Sequence, residues 1–441
     1  MKRIIRLLFL YWRTMRLSLE APTERNILLL YIEVVLAGVL AAAGSFNSAY
    51  ILRAGGSNAL VGLLSSLPAL IAIFLYLPAA QFLQRRSSYQ PWVVGSLWAA
   101  RSGYLLILLL PFLGQRLLPE ATTVIFVAMA VPSVLFSTGW SPLLSDVVPA
   151  NSRATVLAWR SMLSSATIAP LCYLFGRWLD HGVFPSNYQW MYLVGILGGA
   201  SSAWLVSRIR MPESANPVAL SGAQRVPYWQ TLRCTLQENP AFRRIIVNTL
   251  CYNLGPWMVG PLYIIFFVRQ LGATDSWVGL HSTLAHVGVV AGYAIWRRII
   301  QSIGEDRALL VAILPVCSYP FLVALVPNLT FILIMGFLVN VIHPGYGLGH
   351  SIIFLDALPQ GQKHNATALY SMIMNIGAFV CPLIGVSVSG ALGIAPTLLL
   401  GGALQALGAS LFYLFPLRGG RPRPHVSRAI PLPRLFGSHR R

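Results

Sequence analysis

The chain has 441 residues, of which 56% are apolar and only 10% charged, where a soluble domain carries roughly a quarter charged residues. Its formal charge is +20 and its mean hydropathy is +0.67. This balance excludes a soluble enzyme or a soluble nucleic-acid binder of such length, because either would need far more polar surface to cover its cores. A polytopic helical membrane protein remains.

Residues 1–25 open the chain as a basic segment carrying Lys2, Arg3, Arg6, Arg13, Arg16 and Arg25. The apolar run from Leu7 to Trp12 is too short for a signal-peptide core, and no small-residue cleavage site follows. Ile4, Leu8, Tyr11 and Met15 share one helical face, so an interfacial helix and a disordered basic tail both fit.

A helix crosses about 30 Å of hydrocarbon in about 20 residues. Six such stretches come next, at 27–51, 58–80, 91–113, 121–144, 154–177 and 188–206; residues 26–206 are read as a first six-helix bundle. Residues 207–241 are a polar loop with Pro212, Pro217, Pro227 and Pro240. Spans seven to twelve follow at 243–268, 276–296, 308–326, 329–354, 365–388 and 394–416, making a second bundle over 242–416. An Arg/Pro-rich tail, 417–441, ends the chain. The apolar runs are too long and uniform for barrel strands. The expected fold class is all-α, with twelve transmembrane helices in two six-helix bundles.

Sorting charge by loop orients this topology. With the N-terminus inside, 27 of the 32 basic residues fall on the cytoplasmic side, four (Arg53, Arg116, Arg177 and Arg269) on the other, and Arg101 inside a span. Positive residues stay inside, so both termini are expected in the cytoplasm and the protein in the plasma (inner) membrane. The basic termini suit anionic lipid headgroups, and nucleic acid is not an expected partner.

The two halves repeat. Arg53, Val61-Gly62-Leu63 and Ser65 answer to Arg269, Val278-Gly279-Leu280 and Ser282. Asp146, Pro149, Arg153, Ala158, Ser161 and Met162 meet Asp356, Pro359, Lys363, Ala368, Ser371 and Met372 at a constant offset of 210. Parallel repeats of six spans imply two bundles related by an axis along the membrane normal.

With twelve spans, both ends inside, a long central loop and this repeat, the chain from about residue 26 to 416 resembles the major facilitator superfamily. The acid–six residues–base pattern of Asp146 to Arg153 and Asp356 to Lys363 is similar to that family's inner-gate motif, which implies a cytoplasmic gate at these four residues. The resemblance also implies that spans one, four, seven and ten line a central cavity. Their polar and aromatic residues are then substrate candidates: Asn47, Ser137, Trp140, Tyr252, Asn253, Trp257, Asn340, His343 and Tyr346. Amides hydrogen-bond a neutral ligand and aromatic faces stack on rings or sugars. The same side chains also serve as glue between helices. Span seven has Gly255-Pro256 and Gly260-Pro261, and span ten has Pro344, Gly345, Gly347 and Gly349, which predicts bent helices.

Ionisable residues inside a span need a partner or a wet cavity. Glu33 lies six residues into span one and Arg160 six residues into span five, at like depth from the same face. Arg101 lies ten residues into span three, so Glu33–Arg160 is the first expected pair and Glu33–Arg101 the second. Such a cluster is either a proton-coupling device or a fixed ion pair. His281, His286, His343 and His350 join no embedded Cys, Asp or Glu at ligand spacing, so no metal site is expected. The five cysteines form no CxxC pattern. Walker A, HExxH and GxSxG sequences are absent, so neither an internal ATPase, a catalytic set nor a cofactor is expected. The expected function is secondary transport of a small organic solute by alternating access, with proton coupling as an option. The alternatives are an uncoupled facilitator and, from another class, a receptor or scaffold on a transporter fold.

Overall fold

The computed structural model describes residues 22–86, 88–114, 117–149, 152–211, 237, 239–358 and 363–416. The expected interfacial helix, most of the central loop and the Arg/Pro-rich tail lie outside the described residues. Within them, every expected span is a helix. Span one is Pro22–Gly44 continued by Asn47–Arg53. Spans two to six are Asn58–Gln84, Gln90–Leu113, Leu118–Val147, Arg153–His181 and Ser186–Ser207. Span seven is Pro240–Ile265 continued by a π-helical turn, Phe266–Gln270. Spans eight to twelve are Asp275–Ile303, Glu305–Leu325, Leu329–Ala357, Lys363–Leu392 and Ile394–Leu414.

Two details differ from the sequence reading. The single helix expected over 27–51 is interrupted at Ser45-Phe46, where the Ser45 amide donates to both Ala41 and Ala42 carbonyls. And among the described residues eleven helices, not twelve, are long and apolar enough to cross a membrane. The twelfth, span five, has the length, but it carries Arg153, Arg160, Arg177 and Asp180, and its middle is rich in serine. Its burial in the assembly therefore depends on partners rather than on lipid.

The packing order shows the repeat in three dimensions. In the first half, span one packs on five and six, span three on four and six, and span two on four. In the second half, span seven packs on eleven and twelve, span nine on ten and twelve, and span eight on ten. Adding six to each number turns one set into the other. The major contacts between halves, span five on eight and span two on eleven, also exchange under this operation.

These crossings explain the repeated Val-Gly-Leu motif. A Cβ on Gly279 would stand 2.3 Å from the Cys172 carbonyl oxygen and 3.0 Å from the Gly176 Cα, so spans five and eight touch backbone to backbone. Its repeat mate Gly62 faces Val386 of span eleven, where a Cβ would come within 2.9 Å. Small residues let membrane helices approach closely enough for dispersion to hold them.

The hydrogen bonds joining the halves, among the described residues, run from mid-span to the face opposite the termini. The innermost is Thr283 Oγ1 donating to the Ala169 carbonyl at 2.7 Å. Toward the terminal face, each half closes on a core of its own: Leu30, Leu83, Val93, Leu143 and Val206 in the first, and Phe242, Ile245, Leu309, Ile353 and Leu369 in the second. Among the described residues, the hydrogen bonds between the halves gather toward one face, and the buried cores toward the other belong to one half each.

Candidate functional site

Glu33 sits on span one at 3% exposure, and four other spans converge on it. Arg160 of span five places Nη2 2.8 Å from Glu33 Oε2 and also donates to the Leu30 carbonyl. Arg101 of span three approaches Oε1 at 3.9 Å and donates to the Gly199 carbonyl of span six. Ser202 of span six donates to Oε1 at 2.7 Å. Trp140 of span four lies beneath Arg160, with the guanidinium carbon 5.1 Å from the ring centroid. One carboxylate thus faces two guanidiniums, and two backbone carbonyls and an aromatic face take up the surplus positive charge. Every member belongs to the first half.

The four residues expected at a cytoplasmic gate lie at span ends on the terminal face. No ion pair joins Asp146 to Arg153. Tyr89 donates to Asp146 Oδ2 at 2.6 Å, and burial together with that carboxylate pushes the Tyr89 phenol up from its ordinary value, so it stays a donor. Arg153 donates to the Ser145 and Val148 carbonyls at 2.8 and 3.4 Å, capping the C-terminal end of span four. Both contacts stay within the first half. Asp356 closes span ten on an exposed position, and Lys363 opens span eleven; the Lys363 side chain lies outside the described ones.

The substrate candidates separate into two groups. Tyr252 and Tyr346 are 2% and 8% exposed and their rings meet at a tilt of 39° with centroids 4.7 Å apart, with Phe412 edge-on to both. They form part of the second half's own core. Asn47 also has an internal task, accepting from Tyr192 at 3.1 Å beside Tyr104. By contrast Ser137 and His343 are exposed, and Trp140, Asn253, Trp257 and Asn340 are half-buried. Asn253, Asn340 and Ser137 each donate to a carbonyl of their own helix, leaving acceptor oxygens to offer. Behind them, Thr249 and His350 meet at 2.7 Å.

At the face opposite the termini lie polar residues that the sequence reading did not assign to a site. Arg53 at the end of span one donates to the Ala273 carbonyl at 2.7 Å and approaches Asp275 Oδ1 at 3.4 Å. Arg269, in the π-turn ending span seven, donates to Asn58 Oδ1 at 2.6 Å and to the Gly56 carbonyl. Asp180 of span five accepts the amides of Asp275 and Ser276 at 2.8 and 3.1 Å, capping span eight. The signal for them was the repeat itself, extended a few residues past Arg53 and Arg269.

Comparisons with known proteins place this geometry. Residues 245–438 match the family model of the Major Facilitator Superfamily. No curated protein matches the sequence. Among solved structures, the nucleoside transporter NupG superposes with a TM-score of 0.68 at 11% identity, covering 88% of this chain and 100% of that one. The E. coli fucose:proton symporter FucP gives 0.61 at 14% identity, covering 89% and 99%. A bacterial homologue of the human lysosomal transporter Spinster gives 0.60 at 15%, covering 89% and 97%.

Proposed function

We propose that this chain, whose residues 245–438 match the family model of the Major Facilitator Superfamily and whose fold is similar to transporters of known structure, is a secondary transporter of that family moving a small, neutral organic solute by alternating access. The observation that carries this reading is the one-sided union of the halves. Spans five and eight, and two and eleven, join them toward one face, while the cores toward the terminal face belong to one half each. Rigid halves joined at one face and apart at the other are one of the two states that a rocking transporter exchanges. The charge asymmetry of the loops puts the open face in the cytoplasm, and the membrane is read as the plasma membrane.

The solute class follows from what the half-buried inner residues can do. Asn253, Asn340, Ser137 and His343 offer hydrogen bonds, and Trp140 and Trp257 offer aromatic faces. The buried acid Glu33 is already held by two arginines, so it has no charge to spare for a ligand. Such a surface suits a hydroxylated or heterocyclic neutral molecule, the chemistry shared by the nucleoside and fucose named for two of the similar structures. The test is uptake by proteoliposomes of a labelled panel of nucleosides, hexoses and neutral aromatic solutes. Saturable flux of at least one member, reduced by Trp257→Ala, is expected. Flux confined to anions, or none with any solute while the protein stays folded, overturns the reading.

A further inference from the structure

Two arginines cross between the halves, and they are repeat mates. Arg53 and Arg269 stand 216 residues apart, and their acceptors stand 217 apart: Gly56 with Ala273, and Asn58 with Asp275. Arg53 of the first half binds the carbonyl of Ala273 and the side chain of Asp275 in the second. Arg269 of the second half binds the carbonyl of Gly56 and the side chain of Asn58 in the first. Each half therefore lends a guanidinium to the other's loop, and each guanidinium takes one backbone oxygen and one side-chain oxygen. The side-chain acceptors differ, a carboxylate on one limb and an amide on the other.

Among the described residues, Asp180 also crosses between the halves, accepting the Asp275 and Ser276 amides, while the charged groups nearer the terminal face named above keep their bonds within the first half. Glu33, Arg101 and Arg160 belong to one half. Arg153 binds carbonyls of its own half, and Asp146 takes Tyr89 of its own half. Rocking leaves those contacts intact, whereas opening the closed face must break both arginine limbs. A contact present in only one state biases the equilibrium toward that state by its full differential free energy.

We propose that Arg53 and Arg269 form a reciprocal, two-limbed clasp that sets the resting conformation of this protein with the face opposite the termini closed. The clasp holds primarily by the two carbonyl bonds, with Asp275 and Asn58 aiming the guanidiniums. Asp180 supports it from span five by accepting the amides of Asp275 and Ser276. The inference concerns conformation, and it goes beyond the transport reading without needing it.

The experiment is pulsed electron–electron resonance on the full chain in nanodiscs. Spin labels go at Val183→Cys, between spans five and six, and Leu392→Cys, at the end of span eleven, with the native cysteines replaced by serine or alanine. Both positions are exposed on the closed face, one in each half. The unsubstituted clasp should give one short distance. Arg53→Gln and Arg269→Gln should each raise the population of a longer distance roughly tenfold, and the double variant roughly a hundredfold, since a hydrogen bond from a charged donor is worth about one decade. Asp275→Asn gives both limbs the same chemistry and should shift the distribution less than Arg53→Gln. Arg53→Lys with Arg269→Lys should fall between wild type and the glutamine double variant, and covers the case in which the latter does not fold. A folded double variant with the wild-type distance distribution overturns the clasp. So does a shift from Asp275→Asn as large as that from Arg53→Gln, which would make the limb an ion pair alone. Distances shifted as expected in the double variant, with no flux of any solute by the unsubstituted protein, would count against the transport reading and leave the clasp standing.

Discussion

Replacing Glu33 by glutamine tests whether the buried cluster is a structural tie. The carboxylate is 3% exposed and faces Arg160 at 2.8 Å and Arg101 at 3.9 Å. At an effective dielectric near 20, Coulomb's law gives about 6 kcal/mol for the closer pair and about 4 kcal/mol for the other, before any desolvation cost. Desolvation cancels much of this, yet removing the acid alone strands two buried guanidiniums. Breaking a buried pair by deleting one partner costs about 3–5 kcal/mol. Glu33→Gln should therefore lower unfolding stability by that amount, read as the midpoint shift in an SDS titration or a thermal melt in detergent. A double-mutant cycle should give a larger coupling for Glu33 with Arg160 than with Arg101. Glu33→Gln should also leave the pH dependence of any flux unchanged, because every partner of Glu33 moves with it. A variant as stable as wild type, or equal couplings for the two arginines, would refute the geometry. Loss of pH-driven accumulation with stability intact would make Glu33 a proton carrier instead.

Three further outcomes follow from the same structure. Gly279→Ala puts a methyl group against the Cys172 carbonyl; overpacking of this kind costs about 1–3 kcal/mol, so the closed face should open in a fraction of molecules raised about 5- to 150-fold, as label distances will show. Ser202→Ala removes a donor to a buried carboxylate and should cost about 1.5–3 kcal/mol of unfolding stability; a change under about 0.5 kcal/mol would contradict the hydrogen bond. Trp257→Ala and Asn253→Ala should raise KM in proteoliposome uptake severalfold, whereas Tyr252→Phe should leave it unchanged, since that ring is packed inside the second half.

Much of this architecture could be read from residues alone, for reasons that are local. Apolar runs of about 20 residues declare spans wherever lipid is the neighbour, and each expected span is found as a helix. Glu33 and Arg160 were pairable because both lie six residues in from one face. Span five shows where hydropathy fails, since its polar residues are matched by protein rather than lipid. The break at Ser45-Phe46 and the π-turn at Phe266–Gln270 left no mark, because a helix can lose or gain one residue of register without changing composition. That slip also hid the clasp: the repeat runs at 216 for the arginines and 217 for their acceptors, so a fixed offset aligns only one of them. Tyr252 and Tyr346, packed in the second half's core, mark a different limit. Polarity shows that a side chain wants a partner, and does not say whether a solute or a neighbouring ring supplies it.

The polarity of span five bears on how the protein is made. A chain synthesised from its N-terminus delivers Glu33 to the membrane before Arg160 exists. An arginine at that depth costs about 2.5–3.5 kcal/mol to insert alone, and span five offers too little apolar surface to offset it. Span one, already in the bilayer, presents the Glu33 carboxylate and the Leu30 carbonyl to the incoming guanidinium. Sequence order thus becomes assembly order, with the first helix acting as a docking strip for the fifth. In Glu33→Gln the earliest defect should be topological: a glycosylation reporter fused after span five would find that helix left outside the membrane in part of the newly made protein, before any question of transport arises.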